Sequence, residues 1–175
     1  MNNIKYLVLI FSVLFLSACN NNSDQMLIEK AGAPLLEGLG DHTHKISSNV
    51  EGVQRYFDQG MIMAFAFNHA ESIRSFKAAQ KLDPSCAMCY WGEALALGPN
   101  INVNSDGKVI MAPENRIAAF KAINKAIALS ETVSEKEQAY ILALSSRYDG
   151  NIESNRDPLD TVSYTHLRAH ETLDN

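Results

Sequence analysis

After residue 50, apolar residues recur at steps of three and four, the spacing that gathers them on one face of an α-helix. Val53, Tyr56, Phe57, Gly60, Met61, Ala64 and Phe65 form the first such stripe. Ser48-Asn-Val-Glu51 before it has the form of a capping box, so a helix of about five turns is expected from there. Asn68-His-Ala-Glu71 opens a second helix with Ile73, Phe76, Ala79 or Gln80, and Leu82 on its face, and Asp83-Pro84 closes it, because proline disfavours a helical residue before it. Cys86 to Leu97 form a third helix, stopped by Gly98-Pro99. Pro113 suits the first turn of a fourth, where its missing N–H costs nothing, with Ile117, Phe120, Ile123 or Ala126, Ile127 and Leu129 on its face. Ser134-Glu-Lys-Glu137 caps a fifth, running to about Tyr148. No segment alternates with the period of a strand, so the fold is expected to be all-α. Residues 20 to 47, broken by Gly32, Pro34, Gly38 and Gly40, are expected to be a tether and an irregular lead-in.

Self-comparison of the chain turns these helices into an architecture. Tyr90 and Ala94 follow Tyr56 and Gly60 at a distance of 34 residues, while Ala119, Ile123, Ala126 and Leu129 follow Ser72, Phe76, Ala79 and Leu82 at 47. The second unit therefore carries an insertion between its helices, within Gly98 to Ala112. Tyr56, Gly60, Ser72, Phe76, Ala79, Leu82 and Pro84 are spaced as in the tetratricopeptide repeat, and Asn68 to Asn102 resembles a subgroup of bacterial exported tetratricopeptide-repeat proteins. That resemblance, over Ser48 to Tyr148, implies stacked helix-turn-helix hairpins, about two and a half repeats, with an inner groove that holds a protein or peptide segment. Carried over by position, the groove residues are Gln54, Phe57, Met61 and Phe65 in the first unit and Met88, Trp91 and Leu95 in the second. The same side chains could instead pack together or against residues 27 to 47. The lysine and asparagine set with which some family members clamp a peptide carboxylate is missing.

The N-terminus supplies an address. Lys5, an apolar run from Tyr6 to Leu16, and the small residues Ser17 and Ala18 before Cys19 have the layout of a secretory signal, too short for an ordinary membrane-spanning helix. Leu16-Ser-Ala-Cys19 resembles a bacterial lipobox, which implies cleavage after residue 18 and lipidation of Cys19. Asn20 after that cysteine resembles outer-membrane lipoproteins more than inner-membrane ones. The polar stretch Asn20 to Asp24 suits a tether.

Composition narrows the field without changing that picture. The chain is 46% apolar and 20% charged, which disfavours disorder, and a net charge of −5 without a basic stripe disfavours a nucleic-acid partner. No paired acid and base, nucleophile with a histidine orienter, or phosphate-cradling loop has a meaningful spacing, so the chain is not expected to be an enzyme or to need a cofactor.

Cys86-Ala-Met-Cys89 is the most chemical feature: two thiols three apart near a helix start can form a disulfide, a redox pair or a metal clip. A metal site would draw on these cysteines and on His42, His44 or His69. Asn102 to Gly107 mimics half of an EF-hand loop, but Pro113 stands where the bidentate glutamate belongs. Val162 to Glu171 fits no period, and resembles adapter-derived ends of unrelated metagenomic chains. The tail from about residue 162, with His166 and His170, is therefore expected to be artefactual and the chain a truncated fragment. The expected function is a lipid-tethered scaffold of the bacterial envelope that binds a protein or peptide. The alternative is a metal-binding or redox protein built on Cys86 and Cys89.

Overall fold

The computed structural model describes residues 23–99 and 111–151, with 153, 155, 158 and 159, and the regular structure among them is entirely helical. Helix α1 covers residues 23–31. It is followed by α2 (Val53–Phe65), α3 (His69–Leu82), α4 (Ala87–Ala96) and α5 (Pro113–Leu129). A 3-10 turn (Ser130–Thr132) then leads into α6 (Glu135–Ser145). The leader with Cys19, most of the expected insertion (100–110) and the tail from 162 lie outside the described residues.

Four of the five expected helices start where their capping chemistry puts them. The Asn68 side chain accepts the Glu71 N–H at 3.3 Å to open α3. Pro113 takes the first position of α5. Ser134 and Glu137 form the reciprocal capping box of α6. At α4, Cys86 is the cap, its sulfur accepting the Cys89 N–H at 3.2 Å.

The first expected helix is different. Its start is not at Ser48: α2 begins at Val53, after Gly52 at φ 82°, and no side chain caps it. The Ser48 hydroxyl instead donates to the Asp83 carboxylate at 2.7 Å, so a tertiary partner has taken the group a capping box would need. Gly52 is favoured by its left-handed backbone, and a Cβ there would also lie 2.5 Å from the Leu27 side chain, which would have to shift.

The lead-in also departs from expectation, since residues 23–31 are helical rather than irregular. Two contacts distant in sequence and one local bond hold this short helix. Asp24 pairs with Arg55 at 2.6 Å, Leu27 packs over Gly52, and the Gly32 N–H closes the last turn on the Ile28 carbonyl at 2.7 Å. At the other end α6 stops at Ser145, and Tyr148, beyond it, donates its hydroxyl to the Ala94 carbonyl at 2.7 Å and also to that of Gly98.

Consecutive helices pack on one another from α2 to α6, and α4 also touches both α2 and α6. Helices α2, α4 and α6 therefore form one layer, with α3 and α5 behind it. Phe76 of α3 sits at the centre, fully buried between two glycines. A Cβ on Gly60 of α2 would lie 2.8 Å from its ring, and one on Gly92 of α4 would lie 2.3 Å away. The repeat positions Tyr56, Ser72, Ala79, Leu82, Ala94, Ala119, Ile123 and Ala126 are buried around it. Ser72 seals the α2–α3 contact by donating to the Gly60 carbonyl at 2.7 Å.

Candidate functional site

The layer α2–α4–α6 carries the residues assigned to a groove, but most of them are not open. Phe57, Met61, Met88 and Trp91 are buried and Leu95 is half-buried. Phe57 meets Phe76 edge-on at 5.4 Å, which makes it part of the core. Phe65, at the end of α2, is 72% exposed.

Residues 33–48 run over this layer as a strap. Tyr56 donates to the Ala33 carbonyl at 2.5 Å. Gln59 takes the Leu36 N–H at 2.8 Å and gives to the Pro34 carbonyl at 3.1 Å. Asp58 accepts the Thr43 hydroxyl at 2.8 Å and the His44 N–H at 3.0 Å. Gln54 takes the Ile46 N–H at 3.1 Å and gives to the His44 carbonyl at 2.9 Å. The His44 ring lies 6.1 Å from Phe57 of α2 and 5.9 Å from Tyr140 of α6, so the strap spans the layer from edge to edge. Beneath it Trp91 of α4 donates its indole N–H to the Tyr140 carbonyl at 3.0 Å. Where the strap arcs away, a cleft of about 240 Å³ opens, lined by Leu36, Leu39, His42, Arg55, Asp58 and Ile62 among others.

The far end of the strap is fixed by a carboxylate. Glu137 is 4% exposed and accepts the Ser47 N–H at 2.7 Å and the Ser134 hydroxyl at 2.7 Å. The Ser47 hydroxyl donates to it as well. Burial pushes this carboxyl up, but the hydrogen bonds from Ser47 and Ser134 outweigh burial and hold it below its ordinary value of 4.5. A group whose acidity rises on folding stabilises the fold above its unfolded value, and that contribution fades as pH falls through the folded value. Wild type is therefore expected to lose stability more steeply than Glu137→Gln as pH drops below about 4.5. Urea midpoints measured against pH check this, and parallel curves would remove the role given to Glu137. Asp83 is held low in the same way: burial raises it, and the hydroxyls of Ser85 and Ser48 with the Ser85 N–H pull it below its usual range.

The chemical candidates lie apart. Cys86 and Cys89 are joined as a disulfide, with Cα atoms 5.4 Å apart, and both are buried. His42 is exposed at the rim of the cleft, His44 is wedged between Phe57 and Tyr140, and His69 opens α3 beside Phe67. The start of α3 and the start of α4 are separated by the length of α3, about 20 Å for its 14 residues. Among the described residues no group of three His, Cys, Asp or Glu side chains could hold a metal ion.

Sequence reasoning named Gln54 but missed Gln59, Asp58, Glu137 and Tyr140. Gln59 carried a usable signal, because a polar residue next to Gly60 and within the apolar stripe of α2 needs a buried partner. Glu137 was recognised only as half of a capping box. No protein-family model, curated protein or solved structure matches the chain.

Proposed function

We propose that this chain is a non-enzymatic helical scaffold, tethered through Cys19 to a bacterial envelope membrane, that holds an extended segment of a partner protein on its α2–α4–α6 layer. One observation carries the reading: that layer already accepts sixteen residues of non-helical polypeptide, 33–48, largely through their backbone groups. A surface that satisfies the peptide groups of an extended chain is equipped to bind one. The tetratricopeptide-like spacing agrees with a groove on the first helices of each hairpin. The resemblance of Leu16 to Cys19 to a lipobox supports a membrane tether, and Asn20 after it supports the outer membrane.

The test is a hydrogen-exchange footprint of the bound partner on the full lipid-bearing chain. Protection on α2, α4 and α6 supports the reading, and protection on α3 and α5 overturns it.

A further inference from the structure

The two glutamines of α2 make the same unusual pair of bonds. Gln59 grips the carbonyl of Pro34 and the N–H of Leu36, and Gln54 grips the carbonyl of His44 and the N–H of Ile46. In each case one side-chain amide spans the C=O of residue n and the N–H of residue n+2. An extended chain offers that pair along one edge, and a neighbouring parallel strand would take it with the N–H and C=O of a single residue. Both amides are held ready from behind. The second Gln59 hydrogen goes to the Ser75 hydroxyl at 2.9 Å, and the second Gln54 hydrogen to Asp58 at 2.9 Å. Ser75 is fixed in turn by donating to the Glu71 carbonyl at 2.8 Å, so the Gln59 clamp keeps its orientation without the strap, whereas Asp58 also accepts from Thr43 and His44 and couples the Gln54 clamp to it.

The strap's side-chain anchors lie at its two ends. Ala33 and Ile46 are buried, Leu35 packs on the core and His44 sits between Phe57 and Tyr140, while residues 36–43 are exposed apart from a half-buried Leu39. Gly38 and Gly40 at its crest, with φ of 75° and 84°, have open space where a Cβ would stand. Recognition by backbone bonds reads shape and not sequence, so another extended segment can replace the strap.

From this we infer that residues 33–47 are an intramolecular occupant of two clamps, each fitted to a three-residue extended stretch with the chain looping out between them, and that a partner segment binds Gln54 and Gln59 by displacing them. The inference rests on the peptide-binding reading above and gives it a mechanism: partner affinity is reduced by the fraction of molecules whose strap is closed.

The probe is a synthetic, dye-labelled peptide of residues 33–47, titrated by anisotropy into the full chain. Ile46→Asp removes the strap's main apolar anchor, and should raise peptide affinity about tenfold or more over wild type. Adding Gln54→Ala and Gln59→Ala should return it to the wild-type level or below. If Ile46→Asp loses helical circular dichroism, Thr43→Ala with Ser47→Ala loosens the strap without touching the apolar core and carries the same comparison. Equal binding by wild type and by the released variant, or no binding by either, overturns the inference, as does tight binding that ignores both glutamines. Such failure, with a partner footprint still present on α2, α4 and α6, would remove the displaceable clamp alone. A missing footprint would remove the peptide-binding reading itself.

Discussion

Gly92→Ala lowers the stability of the fold by about 1–3 kcal/mol, although alanine is the better helix former by about 1 kcal/mol. The sign follows from the 2.3 Å between a Cβ at Gly92 and the Phe76 ring, which is fully buried and backed by Gly60 on its other contact with α2. The ring has no free direction in which to move, and overpacking outweighs the propensity gain. Phe76→Leu supplies the control. It is destabilising in wild type, and should cost less in the Gly92→Ala background, because a smaller side chain relieves the clash. Urea melts of the four proteins give the coupling directly. A rise in stability for Gly92→Ala, or additive effects, would refute the packing of α3 between α2 and α4.

The second large effect separates two aromatics that the repeat spacing treats alike. Phe57→Ala should cost about 3–5 kcal/mol, since Phe57 is fully buried, edge-on to Phe76 on one side and beside the tilted His44 ring on the other. Phe65→Ala should change stability by less than about 0.5 kcal/mol, because that ring is 72% exposed. Thermal unfolding of both variants decides the matter. Comparable losses would mean that Phe65 is packed and unavailable to a partner, whereas a small loss for Phe57→Ala would mean that the layer is open where the strap now lies.

Helices whose ends are set by local chemistry were legible in the sequence. Asn68, Pro84, Pro113 and the Ser134–Glu137 box act within one turn of themselves, and the structure uses each as the spacing implies. Elements set by distant partners were not legible. Ser48-Asn-Val-Glu51 has the right letters for a cap, yet Asp83, 35 residues away, takes the serine hydroxyl. Helix α1 is held by Arg55 and by the space over Gly52, neither of which its own composition reveals. Gly92 escaped notice for a related reason. The residue 34 positions earlier is Asp58, so the repeat gave no hint that a glycine was required there.

The candidate site was half legible. The tetratricopeptide resemblance implied a groove lined by Gln54, Phe57, Met61, Met88 and Trp91 among others, and the alternative that such side chains pack together or against residues 27–47 describes Phe57, which meets Phe76 and the His44 ring of the strap. The spacing could not tell that the cover would be fastened by its backbone. That fastening depends on Gln59 and Asp58 of α2 and on Glu137 of α6, and Glu137 lies 90 residues from Ser47, its partner in the strap. The disulfide between Cys86 and Cys89 was one of several open readings of a two-thiol spacing, and three-dimensional placement was needed to choose among them.

The most direct measurement is amide exchange of the full chain, with and without a protein segment trapped through a photo-crosslinker at the exposed Phe65 position. Four strap amides bonded to side chains of the layer, those of Leu36, His44, Ile46 and Ser47, report on displacement. The account predicts that partner binding speeds exchange at these four, slows it on α2, α4 and α6, and leaves α3 and α5 unchanged. Slowed exchange on α3 and α5, with the four strap amides as protected as before, would contradict it.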